Sequence, residues 1–306
     1  MKKFLKKNLV VIVICLILFG LGSIDMYNFK NHHHSSISRR NEVLERCRDT
    51  YGDDIPSDDK TCQERLVHDH YYNWDTISVY FYVLLHGNIG HLQMLAPIFV
   101  ITAAVWQFNK ELKSGYFKNI LMRMRYSDYL KKSYVKVLKY SLIFPIFLIF
   151  MFILAYLISG HFDFEQTLLQ EGWVNPQLEL KFVKILPRFI FVFLTNFILH
   201  SIFWINIGFI MSKKSRNIIL TIISSFLVYI AVFAVTEIFI GGFLFSVFLG
   251  IRNVMDYFSL SNIWVYEGIN HLWLTVVYAL TLVVISLLVL ICVYKNKEEV
   301  INENEG

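Results

Sequence analysis

The chain has 306 residues, of which 56% are hydrophobic and only 17% are charged, and its formal net charge is +5. Soluble domains carry about 25% charged residues, so this composition and the long apolar runs exclude an ordinary soluble protein and indicate a membrane protein. The basic residues lie at the ends of apolar runs and form no basic, aromatic groove, so we expect no nucleic-acid partner.

The N-terminal part predicts one transmembrane helix and a polar domain. Basic residues 1–7 and the apolar run 8–24 predict a cytosolic start and a first span, which we expect to be retained because no A-x-A cleavage site follows. Polar residues 25–75 predict an extracellular loop domain. Cys47 and Cys62 lie in that oxidising compartment and are predicted to form a disulfide, with two free thiols as the alternative. The loop histidines match no standard zinc spacing, so we predict no metal site.

The remaining residues, 76–306, predict a transmembrane domain with five further spans, six in all. An interfacial segment at 77–90 precedes spans at about 91–108, 138–159, 186–211, 218–240 and 272–294. Between the last two spans, residues 241–271 are predicted to form short re-entrant or interfacial helices. Basic residues are dense at 1–7, 109–139, 213–216 and 295–297, which places both termini, including the tail 295–306, in the cytosol. The predicted fold is therefore an all-α membrane protein.

The loop between predicted spans two and three, residues 109–136, has helical periodicity of its own. Phe117, Ile120, Leu121 and Met124 fall at i, i+3, i+4 and i+7, which predicts a short amphipathic helix on the cytosolic side. Ser127 and Asp128, taken as one pair, predict the N-cap and a first-turn acid of the following helix. By composition alone this loop is equally typical of a basic helix that only touches lipid.

The run LQMLAPIFVITAAVWQFNKELKSGYFKNILMRMRYSDYLKKSYVKVL resembles the second span, coupling loop and third-span entry of bacterial ABC-2 type transporter permeases. It has Pro97 early in the span, Glu111 and Gly115 in an E-x-x-x-G frame, an apolar-basic helix, an arginine, and a Tyr-Leu-x-Lys-like entry at Tyr129. The stretch MRMRYSDYLKK departs from the R-x-x-S-R type run of many family members, which leaves the exact ATPase contacts open. The six-span pattern agrees with the same family.

The resemblance implies the membrane subunit of an ABC exporter in a bacterial plasma membrane. Two such subunits, identical or different, would form a dimer in the lipid, with two ABC ATPase subunits docked beneath. Glu111 would orient the coupling helix and Gly115 would permit the turn into it. The implied ATPase-coupling residues are Glu111, Gly115, Tyr116, Phe117, Ile120, Leu121, Arg123, Met124 and Arg125. The resemblance implies export or clearance, and an aromatic-rich interior would suit a hydrophobic or amphipathic cargo such as a peptide or lipid-like antibiotic.

The chain itself is predicted to have no catalytic centre. It has no G-x-x-x-x-G-K-[ST] loop, so ATP and Mg would be held by the partner ATPase and we expect no cofactor here. The stretch LLHGNIGHLQM resembles a rhomboid protease entry, but the chain has no G-x-S-G nucleophile motif, and Leu95 stands where that family has Asn. The alternative to a permease is a non-transporting membrane sensor or assembly factor whose extracellular loop domain binds a ligand. A secondary transporter is disfavoured because no inverted repeat is visible.

Three polar residues inside predicted spans are candidates for a substrate path. Glu237 near the end of the fifth span, and His200 and Asn196 in the fourth, are ionisable or amide side chains in apolar surroundings. The alternative for Glu237 is a carboxylate at the membrane interface. The alternative for Asn196 and His200, as for Asn206, is to join helices by hydrogen bonds. Trp204 is predicted to be an interfacial belt residue.

Overall fold

The computed structural model describes residues 2–51, 76, 79–80, 83, 95–113, 122–160, 182–215, 217–248 and 272–295. In these ranges every regular element is helical, which confirms the all-α class for this part of the chain. The helices are α1 (Lys2–Tyr51), α2 (Ala96–Lys113), α3 (Tyr126–Leu138), α4 (Ile143–Ser159), α5 (Phe182–Lys214), α6 (Ile218–Phe233) and α7 (Leu272–Val293). A 3-10 turn, Lys139–Leu142, joins α3 to α4, and a π-helical stretch, Ala234–Phe248, continues α6.

Five helical stretches within the described residues are long and apolar enough to cross a membrane, which indicates a multi-pass membrane protein. They are Leu9–Asn31, Tyr126–Ser159, Thr195–Lys214, Ile218–Ile240 and Val276–Val293. The predicted second span, 91–108, corresponds to the shorter apolar stretch Ala96–Asn109 of α2. A span needs about 20 residues, so the count of six spans stays a prediction.

Helix α1 extends far beyond the predicted first span. It runs from Lys2 to Tyr51, so residues 25–51, predicted as the start of the loop domain, continue the helix. No glycine or proline lies between Gly22 and Gly52 to end it. Glu42 and Arg46 also form an i, i+4 ion pair of 2.6 Å on its exposed surface. The rest of the predicted loop domain, 52–75, lies outside the described residues.

Cys47, near the end of α1, is buried and takes part in a disulfide. Cys15 and Cys292 are free cysteines. The predicted partner of Cys47, Cys62, lies outside the described residues, and the Cys47–Cys62 pairing therefore stays a prediction.

The chain divides into two compact units. The second unit comprises Phe19–Gly90 and Ile149–Phe182. Its described residues between α1 and α2 lie at i, i+3, i+4 and i+7 and are all helical and buried: Thr76, Val79, Tyr80 and Val83. The Thr76 and Ser159 hydroxyl oxygens are 2.8 Å apart, and the ring of Tyr80 packs edge-on against Phe152. This face of the predicted interfacial segment is thus packed against α4.

The first unit comprises Met1–Leu18, His91–Leu148 and Val183–Gly306. Within this unit, helix α2 packs against α3 and α6. Helix α5 approaches α2 closely at Gly208, where an added Cβ would lie 2.8 Å from Val105 Cγ2. The amide of Asn109, which is fully buried, donates to Thr221 Oγ1 at 3.0 Å and so joins α2 to α6.

Local residues set the ends of these helices. Helix α3 begins at Tyr126 after Arg125, whose backbone is extended (φ −63°, ψ 143°), so the predicted N-cap at Ser127 is wrong, whereas Asp128 does lie in the first turn. Pro145 has no N–H to bond the carbonyl of Ser141, which accounts for the tighter 3-10 turn before α4. Helix α4 ends at Gly160, whose positive φ of 75° is the left-handed conformation that favours glycine at a helix terminus.

Candidate functional site

Helix α3, which begins within the C-terminal part of the loop 109–136, is hydrogen-bonded to two other candidate spans. The hydroxyl of Tyr134 donates to Asn206 Oδ1 on α5 at 2.6 Å. The amide nitrogen of the same asparagine donates to Ser286 Oγ on α7 at 2.8 Å. Asn206 is fully buried and Ser286 nearly so. One asparagine therefore joins three helices, and Asn206 has the helix-joining role that was one of the alternatives predicted from the sequence.

The C-terminus of α7 is held by side chains from α3 and α5. The last carbonyls of a helix have no partner within it. Here the Lys213 ammonium donates to the carbonyl of Val293 at 2.9 Å, and the Tyr126 hydroxyl donates to that of Tyr294 at 3.1 Å. A cation at this position also complements the helix dipole. Tyr294 in turn donates from its hydroxyl to the carbonyl of Phe209 at 2.8 Å.

These contacts define what we call the three-helix junction: Tyr126 and Tyr134 of α3, Asn206 and Lys213 of α5, and Ser286 and Tyr294 at α7. Aromatic packing extends it to α2. The ring of Phe209 stacks on Phe108 at 3.9 Å between centroids and meets Tyr134 edge-on at 5.7 Å. The start of α3 and the ends of α5 and α7 are therefore fixed to one another by both polar and apolar contacts.

Exposed basic residues lie on the segments that form this junction. We call them the basic rim: Arg123, Arg125, Lys131, Lys132, Lys214 and Lys295. Between residues 122 and 138 the only acid is Asp128. Basic segments that flank spans favour the cytosolic side of a membrane. The rim is thus a positively charged surface next to the junction.

The structure describes only part of the predicted ATPase-coupling set. Arg123 and Arg125 are exposed and Met124 is half-buried in the turn before α3. The prediction that Met124 lies on a helix is wrong, because Met122–Arg125 form a turn that ends in the extended Arg125. Glu111 lies within α2, and its side chain is outside the described residues. Also outside them are Gly115, Tyr116, Phe117, Ile120 and Leu121.

A second group of polar residues follows one face of α5 inside the candidate span. Asn196, His200 and Trp204 are spaced at i, i+4 and i+8, and Ser201 lies beside them; we call these four the α5 polar stripe. Trp204 is fully buried, so the prediction of a belt tryptophan is wrong. Its ring packs edge-on between Phe144 and Tyr229, at 6.4 Å and 6.3 Å between centroids.

The stripe is short of hydrogen-bond partners. His200 Nδ1 lies 2.9 Å from the carbonyl oxygen of Asn196 in its own helix. Within the described part of the chain, His200 Nε2, Trp204 Nε1, Ser201 Oγ and Asn196 Oδ1 are buried and have no hydrogen-bond partner. Unlike Asn206, the side chains of Asn196 and His200 therefore do not join helices through these atoms. The helical spacing was readable from the sequence, but the burial of Trp204 was not.

Glu237, the third predicted intramembrane residue, lies in the π-helical stretch Ala234–Phe248, and its side chain is outside the described residues. Stretches with π-helical hydrogen bonding are rare and occur often at functional sites. Among the described residues, no group of three His, Cys, Asp or Glu side chains is placed to hold a metal ion. No protein-family model, curated protein or solved structure matches this chain.

Proposed function

We propose that this chain is the membrane-spanning subunit of an ATP-driven ABC exporter. A separate ATPase subunit supplies the energy, and the cargo is a hydrophobic or amphipathic molecule such as a peptide or lipid-like antibiotic. The observation that carries the proposal is the three-helix junction, whose α3 residues Tyr126 and Tyr134 lie in the C-terminal part of the loop 109–136. Because Tyr126 and Tyr134 connect α3 to α5 and α7, a displacement of the loop is transmitted to two spans.

The topology that goes with this function has six spans, with the short helix α2 as the second. The basic rim and both termini face the cytosol of a bacterial cell, as the distribution of basic residues favours. Two such subunits form a dimer in the plasma membrane, and two ATPase subunits dock on the cytosolic side. ATP and Mg bind to those subunits and not to this chain.

The chain contributes positioning and charge, and no covalent chemistry. The exposed guanidinium groups of Arg123 and Arg125 pair with acidic residues of the ATPase or with lipid phosphates. In the proposal, Glu111 and Gly115 set the direction of the coupling segment that follows them. ATP binding then shifts the population between inward-facing and outward-facing states, because the ATPase contacts this segment differently in each state.

The proposal is tested by purifying the full chain from its native membrane in a mild detergent. We expect a co-purifying P-loop ATPase with measurable ATP hydrolysis. Leu121→Glu places a charge on the predicted apolar contact face, and it should abolish both the association and transport without reducing the amount of chain in the membrane. Leu121→Met keeps the face apolar and is the matched control.

A second variant addresses the turn into the coupling segment. Gly115→Pro should abolish transport with normal membrane insertion, since proline lacks the backbone freedom that the turn requires. A chain that is recovered intact without any ATPase would contradict the exporter. It would favour the sensor or assembly factor instead, and residues 25–75 would then be the segment to test for ligand binding.

A further inference from the structure

In the α5 polar stripe, a hydrogen-bond donor and a hydrogen-bond acceptor that both lack partners lie on neighbouring side chains. His200 is 2% exposed and Trp204 is fully buried, and their ring centroids are 6.3 Å apart. Within the described residues neither His200 Nε2 nor Trp204 Nε1 has a hydrogen-bond partner. A buried polar group without a partner is costly, so a group that satisfies both atoms would be bound favourably.

The chemistry of each atom follows from its surroundings. The carbonyl of Asn196 can only accept a hydrogen bond, so the 2.9 Å contact requires a proton on His200 Nδ1. In the neutral ring, Nε2 then has a free lone pair and is an acceptor. The indole Nε1–H of Trp204 is a donor only. A single group that bonds both atoms must therefore accept from Trp204 and donate to His200.

This requirement separates classes of ligand. A carboxylate can accept from Trp204 but cannot donate to His200, and an ammonium can donate but cannot accept. A hydroxyl or an amide does both. We propose that the α5 polar stripe is a binding site for the hydroxyl or amide group of an uncharged amphipathic molecule. The unpaired Ser201 Oγ and Asn196 Oδ1 provide further hydrogen-bonding capacity along the same face.

The described conformation is a closed form of this site. The four unpaired atoms are covered, and the Trp204 ring lies between Phe144 of α4 and Tyr229 of α6. Entry of a ligand therefore requires these two aromatic side chains to separate from Trp204. The proposal does not rest on the exporter function, since a ligand can bind here whether or not an ATPase drives the chain.

Photolabelling of the full chain in lipid nanodiscs tests the site. The probe is an octanol that carries a diazirine, and the matched probe is the corresponding diazirine alkane. We expect the alcohol to label α5 near residues 196–204 and unlabelled octanol to compete, whereas octane does not compete. Trp204→Phe keeps an aromatic ring but removes the N–H, and it should weaken the competition by octanol about tenfold.

Two further variants separate loss of the site from loss of the fold. His200→Gln retains an acceptor and should keep most of the labelling, while His200→Phe should remove it. Trp106→Phe makes the same replacement as Trp204→Phe at an exposed position of α2 and should change nothing.

Equal labelling by the alcohol and the alkane would overturn the proposal, because the site would then not recognise a hydroxyl. Labelling that octanol does not displace would also overturn it, since a trapped water would then be the partner of the unpaired atoms. Loss of ATPase association leaves this result unchanged, so the two proposals fail independently.

Discussion

The hydroxyl of Tyr134 donates a hydrogen bond to Asn206 Oδ1 at 2.6 Å, and the amide nitrogen of Asn206 donates to Ser286 Oγ at 2.8 Å. The first bond links α3, which begins within the loop 109–136, to α5, and the second links α5 to α7. A single side chain therefore connects three helices. Together with the bond from the Tyr126 hydroxyl to the carbonyl of Tyr294, it forms a polar connection from α3 to two candidate spans.

Tyr134→Phe removes the first of these bonds and leaves Asn206 bonded to Ser286. A hydrogen bond contributes about 0.5–1.5 kcal/mol, so we expect transport to fall roughly threefold to tenfold while ATPase association persists. ATP hydrolysis and transport are measured on the same reconstituted complex. Tyr156→Phe, at an exposed tyrosine of α4, is the control. Full transport by Tyr134→Phe would rule out this bond as the connection.

Gly208→Ala should destabilise the packing of α5 on α2. The added Cβ would lie 2.8 Å from Val105 Cγ2, and such overpacking costs about 1–3 kcal/mol. Thermal unfolding in detergent measures the loss. Val105→Ala in the same chain should restore much of it, because it removes the methyl group that is too close.

The control for this pair is Gly20→Ala in α1, where no atom outside the neighbouring backbone of the same helix lies within 4 Å of the added Cβ. It should leave the unfolding temperature unchanged or raise it slightly, since alanine favours a helix. A Gly208→Ala protein as stable as the Gly20→Ala protein would show that α2 and α5 are farther apart than described.

Lys213→Met should loosen the end of α7. The Lys213 side chain is buried and donates to the carbonyl of Val293 at 2.9 Å, and its charge also favours that helix end. We expect a loss of about 1–2 kcal/mol in the stability of the last turn, seen as faster amide hydrogen exchange at residues 290–294. Lys214→Met, at the exposed neighbour, should leave the exchange unaffected. Equal exchange in both variants would contradict a capping role for Lys213.

Non-reducing peptide mapping should place Cys47 in a disulfide, and we expect Cys62 to be its partner. Cys62→Ser should then leave Cys47 reactive to maleimide without prior reduction and should destabilise its unit by about 2–4 kcal/mol. Cys292→Ser, at a free and exposed cysteine, should change neither property. A Cys47 that peptide mapping still finds in a disulfide in the Cys62→Ser protein would contradict this pairing.

Apolar length was the most reliable signal in the sequence. Runs such as Val276–Val293 fall within spans predicted from hydropathy, because a bilayer requires about 20 apolar residues whatever the neighbours are. Polar composition from residue 25 predicts a loop, whereas α1 continues to Tyr51, because polar side chains alone do not end a helix. The absence of glycine and proline in that stretch was the better guide.

The candidate sites were harder to predict because they depend on packing. Tryptophan is typical of the membrane interface, but Trp204 is buried by contacts with Phe144 and Tyr229, which are distant in sequence. The bonds of Tyr134 and Lys213 likewise join residues many positions apart, which no local pattern reveals. The predicted N-cap at Ser127 lies two residues beyond the observed one at Arg125, because the first residue of a helix depends on its cap geometry. Met124 lies in the turn before α3, which apolar periodicity alone does not reveal.

The shortness of α2 has a consequence for biogenesis. Its apolar stretch, Ala96–Asn109, is marginal for insertion as an independent span, and its buried side chains rest on helices made later, including α5 at Gly208 and α6 at Thr221. As the second of the six predicted spans, α2 would lack these partners until more than a hundred further residues have been synthesised. Nascent chains truncated before α5 should expose α2 to the aqueous side, and those extended past α6 should retain it.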